Sequence, residues 1–179
     1  MQQGRAGQHM QQAINERKAE IPIYVGVGEI ATSKNPAHVL VTSLGSCVAV
    51  IILAPVIRSA GIAHIALPSS NVNAEQSRAK PGYYADTAIP RLLAEMDKLH
   101  GGRRGRLLVK LVGGANIMDP NSTFDIGKRN ILAIKKILWK NRLGVLVEDI
   151  GEDISRNVRV SVDTGKVVVK TLGEERVIL

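Results

Sequence analysis

Two apolar runs separated by only a few polar residues constrain the fold of this chain more than any other feature. Residues 48–53 read Val-Ala-Val-Ile-Ile-Leu, and residues 60–68 read Ala-Gly-Ile-Ala-His-Ile-Ala-Leu-Pro, with a short hydrophilic break at residues 55–59. Runs of this length, rich in β-forming residues and joined by so short a link, predict two neighbouring antiparallel strands. The second strand would then return to the start of the first.

This pairing brings together the only cysteine of the chain and a histidine. Cys47 immediately precedes the first run, and His64 lies within the second. A thiol becomes a nucleophile when a neighbouring base or cation favours its thiolate, so we expect the pKa of Cys47 to lie below the roughly 8.5 of a free thiol. The alternative is that Cys47 is an inert core residue and His64 an ordinary histidine beside a strand.

Small and hydroxylated residues precede the cysteine. Gly45 and Ser46 permit a tight entry into the strand and expose backbone N–H groups near the sulfur, where they could stabilise an oxyanion. Thr42 and Ser43 stand five and four residues before Cys47, and either hydroxyl could orient His64. The alternative for both is an ordinary strand or surface hydroxyl, and spacing alone does not decide between them.

The rest of the pattern predicts an α+β chain. Two amphipathic helices are expected at residues 87–100 and 126–141, with Asp86 and Asp125 as their N-caps. A long polar loop is expected at residues 69–84, and the turn at residues 113–116 is expected to pack beside the cysteine rather than bind phosphate. The other predicted strands cover residues 21–30, 39–42, 107–112, 143–150, 158–162 and 166–170.

Length and composition predict one domain, at residues 21–179, after a disordered or loosely helical polar tail at residues 1–20. No apolar run approaches the roughly 20 residues of a membrane span. The polar N-terminus does not resemble a signal peptide, and a lone cysteine fits a reducing compartment. We therefore expect a soluble, cytoplasmic protein.

The formal net charge is +8, but the basic residues look dispersed apart from residues 103–106, and aromatic residues are few. This favours attraction to an acidic protein partner over nucleic-acid binding. One cysteine excludes a multi-cysteine zinc site within the chain. Glu29, Glu148 and Asp149 are expected to be solvated, so no metal or cofactor is predicted.

Residues 44–50, Leu-Gly-Ser-Cys-Val-Ala-Val, and residues 61–68, Gly-Ile-Ala-His-Ile-Ala-Leu-Pro, closely resemble the signature of the CheD family of chemoreceptor glutamine deamidases. Further matching pieces follow in the family's order, and the likeness runs from about residue 23 to residue 170. These pieces lie at residues 26–29, 83–88, 112–115, 126–130, 148–151 and 164–165.

The resemblance implies a layered sandwich of mixed and antiparallel sheets with two main helices, the cysteine-hydrolase fold of YfiH-like proteins and cytotoxic necrotizing factor toxins. It implies cofactor-free deamidation of chemoreceptor glutamines to glutamates, with Cys47 as nucleophile, His64 as base and Thr42 as the family's threonine. Residues 151–156 depart from the family's usual Gly-Gly.

The resemblance also implies two partners, the cytoplasmic domains of chemoreceptors and a CheC-type phosphatase that competes with them. Met118, in a polar loop, would be an exposed anchor for the phosphatase, or else an apolar residue folded back into the core. Two other functions compete with deamidation: a cysteine hydrolase or transamidase acting on another acyl substrate, and a non-catalytic module that regulates a phosphatase.

Overall fold

The computed structural model describes residues 19–102, 105–117 and 125–178. In this part of the chain the strands are β1 Ile21–Tyr24, β2 Ile30–Ser33, β3 His38–Leu44, β4 Val48–Ala54, β5 Ser59–Ile65, β6 Leu108–Gly113, β7 Val145–Ile150, β8 Arg156–Ser161, β9 Val167–Lys170 and β10 Glu175–Ile178. They form two five-stranded sheets, ordered β1-β3-β8-β9-β10 and β2-β5-β4-β6-β7. The helices are α1 Ala74–Ala79, α2 Ala85–Leu99 and α3 Ile126–Lys140. The expected α+β sandwich is confirmed.

The sheet that contains β4 and β5 is covered on both faces. Every residue of β4 and β5 is buried, which explains why both sequences are continuously apolar instead of alternating. The two strands pair antiparallel, as predicted, with Ala49 opposite His64 and Val48 opposite Ile65. Because side chains alternate across a strand, Cys47, Ala49 and Ile51 share one face.

One layer of core lies between the two sheets, and the other lies between the central sheet and the helices. Ala49, Ile51 and Ile62 point into the layer between the sheets, where they meet apolar residues of β3, β8 and β9. The opposite faces of β4 and β5 pack against the apolar sides of the two long helices, α2 and α3. Gly61 allows this close approach, since a Cβ there would meet Leu92 and Met96 of α2.

Several boundaries differ from the sequence predictions. The expected strand at residues 21–30 is two strands in different sheets, separated by a glycine-containing turn. The expected loop at residues 69–84 contains a 3₁₀ turn, Ser70–Val72, and the short helix α1. Neither predicted cap makes a side-chain bond to its helix. The N-cap of α2 is Tyr84 instead of Asp86. Asp125 is the N-cap of α3 as predicted, but only its backbone carbonyl bonds the helix, at Arg129 N–H.

The Asp86 carboxylate accepts instead from the backbone N–H and hydroxyl of Ser70, because α2 begins two residues earlier than expected. Most of the predicted tail lies outside the described residues. Its last residue, Glu20, is paired with Arg159 of β8 at 2.6 Å. Among the described residues, no helix is long and apolar enough to cross a membrane.

Candidate active site

The register of the central sheet places His64 and Cys47 on the same face, toward the layer between the sheets. His64 is directly opposite Ala49, so Cys47 occupies the diagonal position on the neighbouring strand. Diagonal neighbours in a sheet lie about 7–8 Å apart, within reach of a long side chain such as histidine. Cys47 is partly exposed where the chain enters β4, whereas His64 is buried. The register therefore places the two residues on one face of the sheet, and no hydrogen bond joins the thiol to Nε2 of His64 in the described structure.

Thr42 reaches His64 from the facing sheet. Its Oγ1 lies 2.8 Å from Nδ1 of His64 and donates its own hydrogen to the Val25 carbonyl oxygen at 2.7 Å. A hydroxyl has one hydrogen to donate, so Nδ1 must carry the hydrogen that Thr42 Oγ1 accepts. The same carbonyl also lies 3.4 Å from Nδ1 and can only accept. Both contacts assign neutral His64 to the tautomer protonated at Nδ1.

This tautomer leaves the lone pair of Nε2 unshared. Within the described part of the chain, His64 Nε2 is buried and has no hydrogen-bond partner. Unpaired buried polar atoms are uncommon because they lose hydration without compensation, and they often mark functional sites. Nε2 is the ring nitrogen that remains available to accept a proton from a thiol or from a bound substrate.

Burial acts on the charges of both groups. It raises the pKa of the Cys47 thiol above its ordinary value, which contradicts the expectation of a lowered thiol pKa. Burial also lowers the pKa of His64, while the hydrogen bond to Val25 and the charge of Glu29 raise it in part. Both shifts disfavour the charged form in a poorly hydrated site. Both directions favour the neutral thiol and the neutral imidazole at neutral pH.

The segment that carries the cysteine rests on a glycine turn, as the sequence predicted. The Gly45 carbonyl accepts from Ala115 N–H at 3.0 Å, and the Cys47 carbonyl accepts from Gly114 N–H at 2.7 Å. Gly113 has φ 109°, and a Cβ there would collide with the Cys47 carbonyl. Only glycine fits this position, so the turn fixes the backbone on which the thiol is mounted.

A buried arginine supports the loop that contacts this glycine turn. Arg156 donates from Nε to Asp149 at 2.8 Å and from one terminal nitrogen to the carbonyls of Gly151 and Ile154. The loop it holds contacts the glycine turn, because Gly151 N–H donates to the Gly113 carbonyl at 2.9 Å. The expectation that Asp149 is solvated is wrong, since Arg156 and Arg176 both pair with its buried carboxylate.

The remaining predicted residues lie in different surroundings. Ser43 points out of the sandwich and donates to Asn157 at 2.6 Å, so its hydroxyl does not contact His64. Ser46 is half-buried between Gly45 and Cys47. Met118 lies outside the described residues, while its neighbour Ile117 is 42% exposed.

The sequence interpretation missed the Val25 carbonyl and Arg156. No motif marks the carbonyl, whereas Arg156 is in phase with Val158 and Val160 of its strand, and that alternation signals an inward side chain.

A buried histidine with a fixed tautomer, on the same face of the sheet as a partly exposed cysteine, defines a candidate centre for acyl transfer. Comparison with known proteins agrees with this class. The sequence model of the family described as CheD chemotactic sensory transduction matches residues 66–171.

The chain is 48% identical over 153 residues to the "Probable chemoreceptor glutamine deamidase CheD" of Syntrophotalea carbinolica, covering 84% of this chain and 94% of the relative. It is 43% identical over 155 residues to the protein of that name from Methanococcus maripaludis strain C6, covering 86% and 97%. It is 39% identical over 149 residues to the "Chemoreceptor glutamine deamidase CheD" of Thermotoga maritima, covering 83% and 91%. The chain belongs to the CheD family.

Proposed function

We propose that this chain deamidates glutamine side chains of chemoreceptors, with Cys47 as nucleophile and His64 as general base. The observation that carries the proposal is the fixed tautomer of His64, whose unshared Nε2 lies on the cysteine's face of the sheet. Membership of the CheD family supports the choice of substrate, because relatives of similar length bear the name of that activity. Thr42 is a positioning residue, since it acts through His64.

The first step forms a thioester. His64 Nε2 takes the thiol proton as Sγ of Cys47 attacks the side-chain carboxamide carbon of glutamine, which gives a tetrahedral intermediate with a negative oxygen. The imidazolium then gives its proton to the nitrogen, the C–N bond breaks, and ammonia leaves. Proton transfer accompanies attack because the pair is neutral at rest.

We propose the Ser46 N–H as a donor for the negative oxygen. In a trans peptide the C=O and the following N–H point in opposite directions. The Gly45 carbonyl points toward Ala115, so the N–H of the same peptide, which belongs to Ser46, points away from the glycine turn. A backbone donor held in this way needs no reorganisation when the oxyanion forms.

The second step hydrolyses the thioester. His64 Nε2 takes a proton from water as the oxygen attacks the thioester carbon, and the sulfur leaves and regains its proton. The products are a glutamate side chain and the free enzyme. Each turnover releases one ammonia, which takes up the proton of the new carboxyl group as ammonium, and converts a neutral side chain to a negative one.

Mass spectrometry of a chemoreceptor cytoplasmic fragment tests the proposal. Incubation with the protein should add about one dalton at specific glutamines, with ammonia released in equal amount, and Cys47→Ala should abolish both. Addition of a supplied amine in place of hydrolysis would identify a transamidase. An unmodified fragment that nevertheless binds would favour a regulatory binding module.

We further propose, from the resemblance, that the sandwich is a cysteine-hydrolase fold like that of YfiH and cytotoxic necrotizing factor toxins, formed by one domain from residue 21 onward. A lone cysteine that must stay reduced to react suits the cytoplasm, where we place the reaction.

We also propose that a CheC-type phosphatase binds beside the nucleophile. The observation that favours this is Ile117, which is 42% exposed and whose Cδ1 lies next to Gly45. A partner seated on Ile117 would cover the entrance to Cys47 and so compete with a receptor. Ile117→Glu should weaken phosphatase binding by about 1–2 kcal/mol in a calorimetric titration. Unchanged affinity would contradict this placement.

A further inference from the structure

The outer side of α3 concentrates positive charge that looked dispersed along the sequence. All charged residues of this helix are basic, and its first turn has no acidic residue. Residues three and four apart share a helix face, so one exposed line runs along its length. We call it the α3 stripe, and it consists of Arg129, Leu132, Lys136, Trp139 and Lys140.

Two large apolar side chains interrupt the charges of the α3 stripe. Trp139 is 78% exposed and Leu132 is 60% exposed, although the same helix buries Ile134 and Leu138 on its inner side. An exposed tryptophan is typical of the centre of a protein interface, where tryptophan, tyrosine and arginine side chains supply most of the binding energy.

The charges of the α3 stripe are not neutralised within the described residues. Glu148 pairs with Lys135, at the edge of this face. Across the described part of the chain, no carboxylate lies within ion-pairing distance of Arg129, Lys136 or Lys140. The surface is therefore complementary to an acidic partner.

The α3 stripe begins close to the candidate active site. Gly127, in the first turn of α3, packs against the Gly114 carbonyl so closely that a Cβ would collide with it. Gly114 N–H in turn binds the Cys47 carbonyl at 2.7 Å. With 1.5 Å of rise per residue, the 15 residues of α3 extend about 22 Å from this point.

We propose that the α3 stripe binds an acidic segment of the protein substrate that flanks the reacting glutamine. The inference rests on the proposed deamidase function and adds where the rest of the substrate binds. Deamidation makes its own substrate more acidic, since each turnover leaves a glutamate. A basic surface that begins at the glycine turn under Cys47 would therefore retain a partly processed chain.

A protein segment fits these observations better than a membrane or a nucleic acid. The apolar side of α3 is buried in the core, which leaves two large apolar residues outside, too few for the apolar face of an interfacial helix. Single-stranded nucleic acids bind on successive aromatic residues, and the α3 stripe has one.

Tryptophan fluorescence gives a direct test of binding, because Trp139 is the only tryptophan of the chain. A tryptophan-free receptor cytoplasmic fragment, added to the Cys47→Ala protein, should shift the emission to shorter wavelength, with affinity that falls as salt increases. No shift at concentrations where the fragment is bound would overturn the proposal. So would a shift produced by phosphatidylglycerol vesicles or by DNA and not by the fragment.

A charge-reversed pair with a matched control tests the role in catalysis. Lys136→Glu with Lys140→Glu should raise KM for the receptor fragment by about tenfold or more, with the loss in KM rather than kcat. Lys34→Glu with Lys170→Glu makes the same change in net charge at exposed positions outside α3, and should change KM by less than about twofold. Equal effects of the two pairs would mean that overall charge, and not the α3 stripe, attracts the substrate.

These measurements separate the two proposals. If the wild-type protein turns over the fragment and charge reversal in the α3 stripe leaves KM unchanged, the docking proposal is wrong and the deamidase proposal stands. If the protein shows no turnover but its Trp139 emission still shifts when the fragment binds, the deamidase proposal is wrong and the docking proposal stands.

Discussion

The two layers of core differ in what they contain, although both cover the same central sheet. The layer between the sheets includes buried polar side chains, among them Thr42, His64 and Arg156, whereas the layer under the helices is mostly aliphatic and includes the buried polar side chains of Ser59 and Asn130. Strand β5 contributes to both layers, with His64 on the face toward the other sheet and Ala63 and Ile65 on the face toward the helices.

The layer between the sheets provides the polar groups of the candidate active site, whereas the layer under the helices stabilises the sheet. Burying a polar group costs free energy unless it is hydrogen-bonded, so polar groups are retained in a core only where their partners are provided. Thr42 and Arg156 have such partners, and His64 Nε2 is left without one in the described structure. The helices stabilise the sheet from the other side without contributing a polar group to the Thr42–His64 pair.

The largest expected effect is on turnover. Cys47→Ala should eliminate deamidation while changing the free energy of unfolding little, because the side chain is small and partly exposed. Leu92→Ala, in the helix layer, should do the reverse: a loss of about 2–5 kcal/mol in stability with kcat retained at temperatures where the protein stays folded. Urea unfolding and mass-spectrometric turnover measure the two. Residual activity in folded Cys47→Ala would refute the assignment of the nucleophile.

Sequence patterns predicted β4, β5 and their pairing, because continuous apolar runs and a short link are local signals. They also brought Cys47 and His64 to one place, since the register follows from the link. The short helix α1 and the edge strand β10 were missed, because neither carries a strong apolar period. Contacts between sheets were beyond local reasoning: Thr42 and His64 are 22 residues apart, and nothing in that spacing selects Thr42 over Ser43.

Removing Arg156 should cost the most stability of any polar substitution in the layer between the sheets. Arg156→Ala leaves the Asp149 carboxylate and two carbonyls without this partner, and breaking a buried ion pair costs about 3–5 kcal/mol. Turnover should also fall, because Gly151 supports the glycine turn under Cys47.

Arg176 offers a matched control, because it binds the same carboxylate from an exposed position. Arg176→Ala should cost only about 0–1 kcal/mol, as exposed pairs do. Chemical denaturation of both variants provides the measurement. Equal losses would show that burial of Arg156 confers no special role.

Thr42→Val should have an intermediate effect on catalysis. The substitution keeps the shape and removes the hydroxyl, so Nδ1–H of His64 loses its short hydrogen bond and the tautomer is no longer fixed. A lost buried hydrogen bond is worth about 1–3 kcal/mol, which predicts a fall of roughly tenfold to a hundredfold in kcat. Thr42→Ser keeps a hydroxyl and should retain most of the wild-type kcat. Ser43→Ala should change kcat little. Greater damage from Ser43→Ala would identify Ser43 as the positioning residue.

The smallest expected effect is a shift in pH dependence caused by Glu29. Catalysis requires neutral His64, so kcat/KM should rise with pH through the pKa of His64, which burial holds below its ordinary value of 6.5. The negative charge of Glu29 raises that pKa in part. Glu29→Gln removes the charge and can keep the acceptor oxygen that binds Gly26 N–H, so the acidic limb should move to lower pH. Exposed Glu174 provides a control, since Glu174→Gln should leave the limb in place.

The pH dependence of the free energy of unfolding should report the same effect of Glu29 on the pKa of His64 by an independent measurement. Between the lowered pKa of folded His64 and 6.5, the unfolded chain binds more protons than the folded one, so the free energy of unfolding rises with pH in that window. Glu29→Gln lowers the folded pKa further and should extend the window toward acid. If the acidic limb of kcat/KM and the stability profile both stay fixed in Glu29→Gln, or both move to higher pH, Glu29 does not act on His64.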